Sequence, residues 1–151
     1  QYVEQALNGI TLGVSAQKIA ISPMLGGVKH LNRLEQVLLR QELDERVEDD
    51  LIVRNTLNDV IEATSANLFY WLDNKLHTPD LGYSGVNGLI RQRILESDDN
   101  IIVKKTTLDD LKTASSMFIC NCIMGIMPVN NFDNKQLPIQ PVLSLKSIFK
   151  V

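Results

Sequence analysis

The stretch LIVRNTLNDVIEATSANLFYWLDNKLH, residues 51–77, decides the fold class. Leu51 to Arg54 reads as a strand, Asn55 and the Asn58–Asp59 pair supply turn chemistry, and Val60 to Ala63 is the hairpin partner. Asn67 to Leu72 (NLFYWL) is aromatic-rich and reads as a buried strand. Asp73–Asn74 is a turn signal, and Lys75 to His77 returns. Strands and helices follow one another along the chain without strict alternation, which favours an α+β fold with a mixed or antiparallel sheet over a doubly wound one.

Working outward, Ile10 to Ile21 (ITLGVSAQKIAI) carries β-branched residues in rough alternation and suits a strand. Pro23, Gly26 and Gly27 break it into a loop. Leu31, Leu34, Val37 and Leu38 recur at helical spacing with polar residues between them, which predicts an amphipathic helix from about His30 to Glu45. Downstream, Thr78 to Gly88 (TPDLGYSGVNG) is loop and Leu89 to Leu95 opens a helix. Ile101 to Lys104 is a short strand. Thr107 to Thr113 fits a helix with Thr106 or Thr107 as N-cap and Asp109 and Asp110 in its first turn. Ser116 to Cys122 is a strand, Met127 to Val129 is extended, and Val142 to Lys150 is a terminal helix.

The chain has 151 residues, 44% hydrophobic and 22% charged, with a formal net charge of −3. Such a length buries roughly 70% of its unfolded surface and suggests one domain. Slight acidity argues against nucleic-acid binding, and the acidic run Gln41 to Asp50 (QELDERVEDD) reads as a solvated helix end and turn. No run of about 18 apolar residues is present, so no membrane helix is expected. The first residues show no basic region followed by an apolar stretch and do not read as a signal peptide. Cys120 and Cys122 with His30 and His77 lack zinc-ligand spacing, so no metal site is expected. On one strand the two cysteines would point the same way with Cα atoms about 6.6 Å apart, near the limit for a disulfide. Reduced thiols and a cytoplasmic location are the expectation.

Three places can carry chemistry. Lys29 sits in Gly26-Gly27-Val28-Lys29-His30, between a glycine turn and a helix; it is either a surface charge or a Schiff-base lysine, which must be neutral to react. Glu62 stands between apolar strand residues and small loop residues. It is either an edge-strand surface charge or a buried carboxylate in need of a cationic or hydrogen-bonding partner, such as an arginine or a protonated pyridine nitrogen. Gly85-Val86-Asn87-Gly88-Leu89-Ile90-Arg91 feeds a loop into a helix, whose free N–H groups and macrodipole form an anion cup. It contains neither a P-loop Lys-Ser/Thr nor a GxGxxG pattern, so nucleotide readings fail. A lysine, a carboxylate and an anion cup are together the needs of pyridoxal phosphate.

These residues carry a resemblance. Gly27 to Gln36 (GVKHLNRLEQ), Ala66-Asn67-Leu68-Phe69 after Glu62, Gly85 to Gln92 (GVNGLIRQ), and Ile119 to Cys122 with Met127-Pro128-Val129 resemble, in order and spacing, the fold-type IV pyridoxal-phosphate enzymes of the class IV aminotransferase superfamily. The likeness covers about Gly9 to Val129. It implies that residues 1–151 are the C-terminal cofactor-binding domain, a mixed sheet or pseudo-barrel with flanking helices. The N-terminal domain of the family has no counterpart in this sequence. The resemblance further implies that Lys29 is the catalytic, cofactor-binding lysine and that Glu62 pairs with the pyridine nitrogen. Val86 would pack against the ring, Gly88, Leu89 and Ile90 would hold the phosphate, and Cys122 would stand where a phosphate-binding threonine is found in branched-chain aminotransferases. A thiol is the poorer donor.

Within the superfamily, the run His30-Leu31-Asn32-Arg33-Leu34 resembles the aminodeoxychorismate lyases. Branched-chain aminotransferases have a Gly-Gly-Asn-Tyr-like run there, and Leu34 replaces their tyrosine. The implied reaction converts 4-amino-4-deoxychorismate to 4-aminobenzoate and pyruvate, on a homodimer. The alternatives are an aminotransferase of branched-chain or D-amino acids and a non-catalytic binding domain. Arg33 and Arg91, near these motifs, are expected to form structural salt bridges.

Overall fold

The computed structural model describes residues 2–148. The elements in chain order are α1 (Tyr2–Asn8), β1 (Ile10–Ile19), α2 (Leu34–Asp44), β2 (Asp50–Asn55), β3 (Val60–Ala63), β4 (Asn67–Leu72), β5 (Lys75–Pro79), α3 (Leu89–Ser97), β6 (Ile102–Lys104), α4 (Leu108–Thr113), β7 (Ser116–Asn121), β8 (Gly125–Phe132), β9 (Lys135–Gln136) and α5 (Gln140–Ile148). The strands form one mixed sheet in the order β3-β2-β1-β8-β7-β4-β5-β6, with β9 paired to β8. β1 runs parallel to both β2 and β8, and β5 parallel to β6. β2–β3, β4–β5, β4–β7 and β7–β8 are antiparallel. The sheet curls so that its two ends meet: Val60 at one end donates its N–H to the carbonyl of Thr106, just past β6, at 2.8 Å. This is the α+β, half-barrel arrangement expected of the fold-type IV domain.

Turn chemistry sets the hairpins. Asn58, Asp73 and Asn74 adopt positive φ values of 68°, 51° and 60°, a region that asparagine and aspartate tolerate better than most residues. β4 is buried on both faces, and its alternation separates two cores. Leu68 and Tyr70 join Leu12, Ile52, Met117 and Val129 inside the curl. Phe69 points the other way and stacks on Phe118 at 4.9 Å, where Ile90 and Ile94 of α3 and Val142 of α5 cover it. A third cluster packs Leu39 of α2 on Ile19, Val53, Ile61 and Leu81.

Several expected boundaries move. The helix foreseen from His30 starts at Leu34, because the residues before it form an extended turn around Lys29. Leu31, counted into the apolar period, is 100% exposed. β1 stops at Ile19, since the next N–H, that of Ala20, is taken by the Glu35 carboxylate at 2.7 Å. β7 stops at Asn121, whose side-chain oxygen accepts the N–H groups of Ile123 and Met124 and turns the chain. Cys122 therefore lies off the strand, and the two cysteines do not share a strand face; Cys120 is buried, Cys122 exposed, and both are free thiols. α3 runs from Leu89 to Ser97, two residues beyond the foreseen stretch.

The acidic run is only partly solvated. Glu42 accepts from Ser15 Oγ at 2.6 Å and from Ala16 N, and Asp50 is buried, taking both the N–H and the hydroxyl of Thr64. Thr107 caps α4 in a reciprocal box with Asp110. Of the expected terminal helix, Phe149 and Lys150 lie outside the described residues. α1 and β9 have no counterpart in the sequence reading. Among the described residues no helix is long and apolar enough to cross a membrane.

Candidate active site

A cleft of about 590 Å³ opens between the loop after β3, the loop before α3 and the turn after β7. Lys29, Glu62, Val86, Gly88, Leu89, Ile90 and Cys122 all line it. Seven positions singled out over 94 residues of sequence thus converge on one concavity, and backbone pairing explains how.

The lysine loop and the loop before α3 are stitched together. Gly27 N–H donates to Gly85 O and Asn87 N–H to Gly27 O, each at 3.0 Å, forming a parallel bridge between Gly27 and Val86. Lys29, exposed and two residues beyond the bridge, is thereby set at the cleft mouth. β3 supplies Glu62, which is 7% exposed. Its Oε2 accepts the Val86 N–H at 3.0 Å. Gly85 permits this approach: it has φ +83°, and a Cβ there would lie 2.5 Å from Ile61 and 3.1 Å from the Glu62 carboxylate. Burial pushes the Glu62 carboxyl up to about 7, against the pull of the Val86 N–H and of the Arg33 and Arg91 charges.

Asn67, at the start of β4 and inside a segment that carries the resemblance, was given no role of its own by the sequence. Its Nδ2 donates to Val86 O at 2.6 Å and its Oδ1 accepts the Gly88 N–H at 3.0 Å. One side chain thus clamps both ends of the tripeptide that enters α3. Gly88 lets it do so, because a Cβ there would sit 2.6 Å from Asn67 Oδ1. The first intrahelical acceptor is Gly88 O, which takes the Gln92 N–H at 3.0 Å. The N–H groups of Leu89 and Ile90 precede it and have no helical partner, so they face the cleft end of the dipole free for an anion. No local pattern reveals Asn67; its partners lie 19 and 21 residues away.

The two arginines depart from expectation, since neither forms an ion pair among the described residues. Arg91 is buried and spends its guanidinium on neutral oxygens: Asn87 Oδ1 at 2.7 Å, Pro79 O at 2.9 Å and Thr78 Oγ1 at 3.3 Å. It braces the loop before α3 against β5. Arg33 lines the cleft beside Lys29 and Glu62 and also walls a second cavity of about 360 Å³. Leu34 lines the second cavity and not the cleft. Cys120 forms part of the cleft floor, its thiol pushed up to about 12 by burial, and Cys122 stands exposed at the rim.

The donor set fits pyridoxal phosphate. Glu62 is a desolvated carboxylate in want of a cation, the α3 terminus offers unpaired N–H groups to a phosphate, and a primary amine stands at the same cleft. Comparison with known proteins gives the family. The family model for amino-transferase class IV matches residues 2–132. An aminodeoxychorismate lyase of Vibrio harveyi is 40% identical over 133 residues, covering 85% of this chain and 49% of the relative. A putative branched-chain-amino-acid aminotransferase of Methanocaldococcus jannaschii is 27% identical over 136 residues, covering 87% of this chain and 46% of the relative. The crystal structure of 4-amino-4-deoxychorismate lyase from Pseudomonas aeruginosa superposes with a TM-score of 0.89 at 30% identity, covering 99% of this chain and 58% of that one. The chain spans about half the length of the curated relatives it matches.

Proposed function

For this chain, which belongs to the amino-transferase class IV family, we propose the cofactor-binding part of a pyridoxal-phosphate-dependent lyase that converts 4-amino-4-deoxychorismate to 4-aminobenzoate and pyruvate. The observation that carries the cofactor is the single cleft lined by Lys29, Glu62 and the free end of α3. The lyase reaction is favoured by the greater identity to the Vibrio harveyi lyase, 40% against 27% for the aminotransferase, and by Leu34 standing outside the cleft where the aminotransferases place a tyrosine.

When bound, the cofactor supplies an electron sink for the carbanion formed beside the substrate nitrogen. The chain supplies the rest. Lys29 would be the attachment point for the cofactor and would also take the proton from the amine-bearing ring carbon of the substrate. Glu62 keeps a proton on the pyridine nitrogen, held in place for this by the Val86 N–H. The N–H groups of Leu89 and Ile90 take the phosphate, Gly88 and Val86 shape the wall, and Cys122 closes the rim. Proton removal at the ring carbon and loss of the enolpyruvyl oxygen aromatise the ring, and protonation of the departing enol yields pyruvate. The proposed assembly is a homodimer in the cytoplasm.

Borohydride reduction of the PLP-loaded protein, followed by peptide mapping, tests the cofactor assignment: the label belongs on Lys29, and a label elsewhere removes it. Assays of 4-aminobenzoate release from aminodeoxychorismate, set against amino transfer to 2-oxoglutarate, decide the reaction. The second reading, an aminotransferase, rests on the similarity to the Methanocaldococcus protein and is established if only the transfer proceeds.

A further inference from the structure

We propose that Arg33 is the residue that receives the carboxylate of the substrate in the Lys29–Glu62 cleft. The inference rests on the functional reading above and adds to it a site for the acid group.

The cleft's polar side chains are almost all committed to the protein itself. Asn67 is spent on Val86 and Gly88, and Gln92 donates to the carbonyl of Asn87. Asn121 donates to Ser65 O and accepts two backbone N–H groups, while Thr64 and Ser65 donate to Asp50. Against this background Arg33 stands apart. Its Nη1 is shut off from water and has no hydrogen-bond partner, and no carboxylate pairs with it among the described residues. The side chain is half-buried, and a ligand would meet the remaining guanidinium nitrogens, which also make no hydrogen bond among the described residues; a cation so placed at a cleft wall lacks an anionic partner. Arg91, the other arginine on this side of the fold, shows the contrast, with its three neutral acceptors.

The ligand class follows from what the other groups take. The α3 terminus is matched to a phosphate, Lys29 to the cofactor's carbonyl carbon and Glu62 to a cation, so none of them serves a second anion. A guanidinium presents a planar fork that suits the two oxygens of a carboxylate better than any single oxygen. Both candidate reactions use amines that carry a carboxylate, so the assignment does not depend on which one proceeds.

The test is calorimetric titration of 4-aminobenzoate, with aniline as the uncharged control, into the protein with and without PLP. It compares wild type with Arg33→Met, Arg33→Gln and Arg33→Lys. Affinity for 4-aminobenzoate should fall by about 30-fold or more in Met and Gln and by less in Lys. Aniline binding should stay within about twofold in all four proteins, which also shows that the cleft is intact. Failure of wild type to bind 4-aminobenzoate, or equal binding by Arg33→Met, overturns the proposal. So does unchanged binding accompanied by a shifted absorption band of bound PLP, which would place Arg33 on the cofactor's ring oxygen. Failure to take up PLP with Arg33-dependent binding preserved removes the functional reading and leaves the carboxylate site standing.

Discussion

The Glu62 carboxylate accepts the backbone N–H of Val86 at 3.0 Å, across a separation of 24 residues. This one bond ties the edge strand to the loop that opens α3, and so ties the carboxylate to the anion cup. Because it is the only hydrogen bond to that carboxylate among the described residues, burial outweighs it and the carboxyl rises from 4.5 to about 7. The raised value means that the folded chain holds an extra proton between about pH 4.5 and 7. The stability due to this group is therefore complete below pH 4.5 and declines as the pH climbs through 7. Glu62→Gln, neutral at every pH, should match wild type at pH 4 and exceed it at pH 8 by at most about 3 kcal/mol in cofactor-free protein. Urea unfolding across that range checks this, and parallel curves for the two proteins would refute it.

Asn67 holds both flanks of the tripeptide before α3. Asn67→Ala should free the Gly88 N–H and loosen the helix entrance, weakening PLP binding by about tenfold, the effect of losing one to two buried hydrogen bonds. Equilibrium dialysis of PLP measures this, and an affinity equal to wild type would show that the clamp is dispensable.

Lys29 is exposed, so its removal exposes no core. Lys29→Ala should keep its thermal midpoint within a degree or two of wild type, as surface changes of about half a kcal/mol or less do. It should lose turnover and the borohydride label together. A variant that unfolds would mean the lysine stem packs more tightly than the structure shows.

Arg91 has the opposite balance. Truncation to Met would leave Thr78, Asn87 and the Pro79 carbonyl without their donor in a buried setting. A loss of about 2–4 kcal/mol is expected, read as a lower urea midpoint with unchanged slope.

Much of the fold was legible because local chemistry dictates it. Val60–Ala63 and Asn67–Leu72 have the foreseen bounds, since asparagine and aspartate turns flank them and their apolar runs are too short for helices. α2 was foreseen four residues too early because Leu31 fits the helical period yet lies wholly exposed. β9, two exposed residues paired only to β8, carries no pattern of its own. The site residues were legible as separate motifs, and the structure gathers them. What the chain could not declare locally was anything made by distant pairing: the Asn67 clamp, the neutral partners of Arg91 and the isolation of Arg33.

The meeting of Val60 and Thr106 has a consequence for how the protein matures and frays. β3 is short and lies at the end of the sheet order, the position from which a sheet ordinarily peels open. Here it is fastened on its outer side by a bond spanning 46 residues, a contact whose loop-closure entropy defers it until the intervening strands are in place. The Val60–Thr106 contact is therefore expected among the later ones to form during folding. Once the ring closes, the Val60 amide should exchange its hydrogen only as fast as the whole domain unfolds. Val60, buried in the core, and Glu62, lining the cleft, stand on the same short strand, so the strand whose fastening completes the ring also carries the cleft's carboxylate.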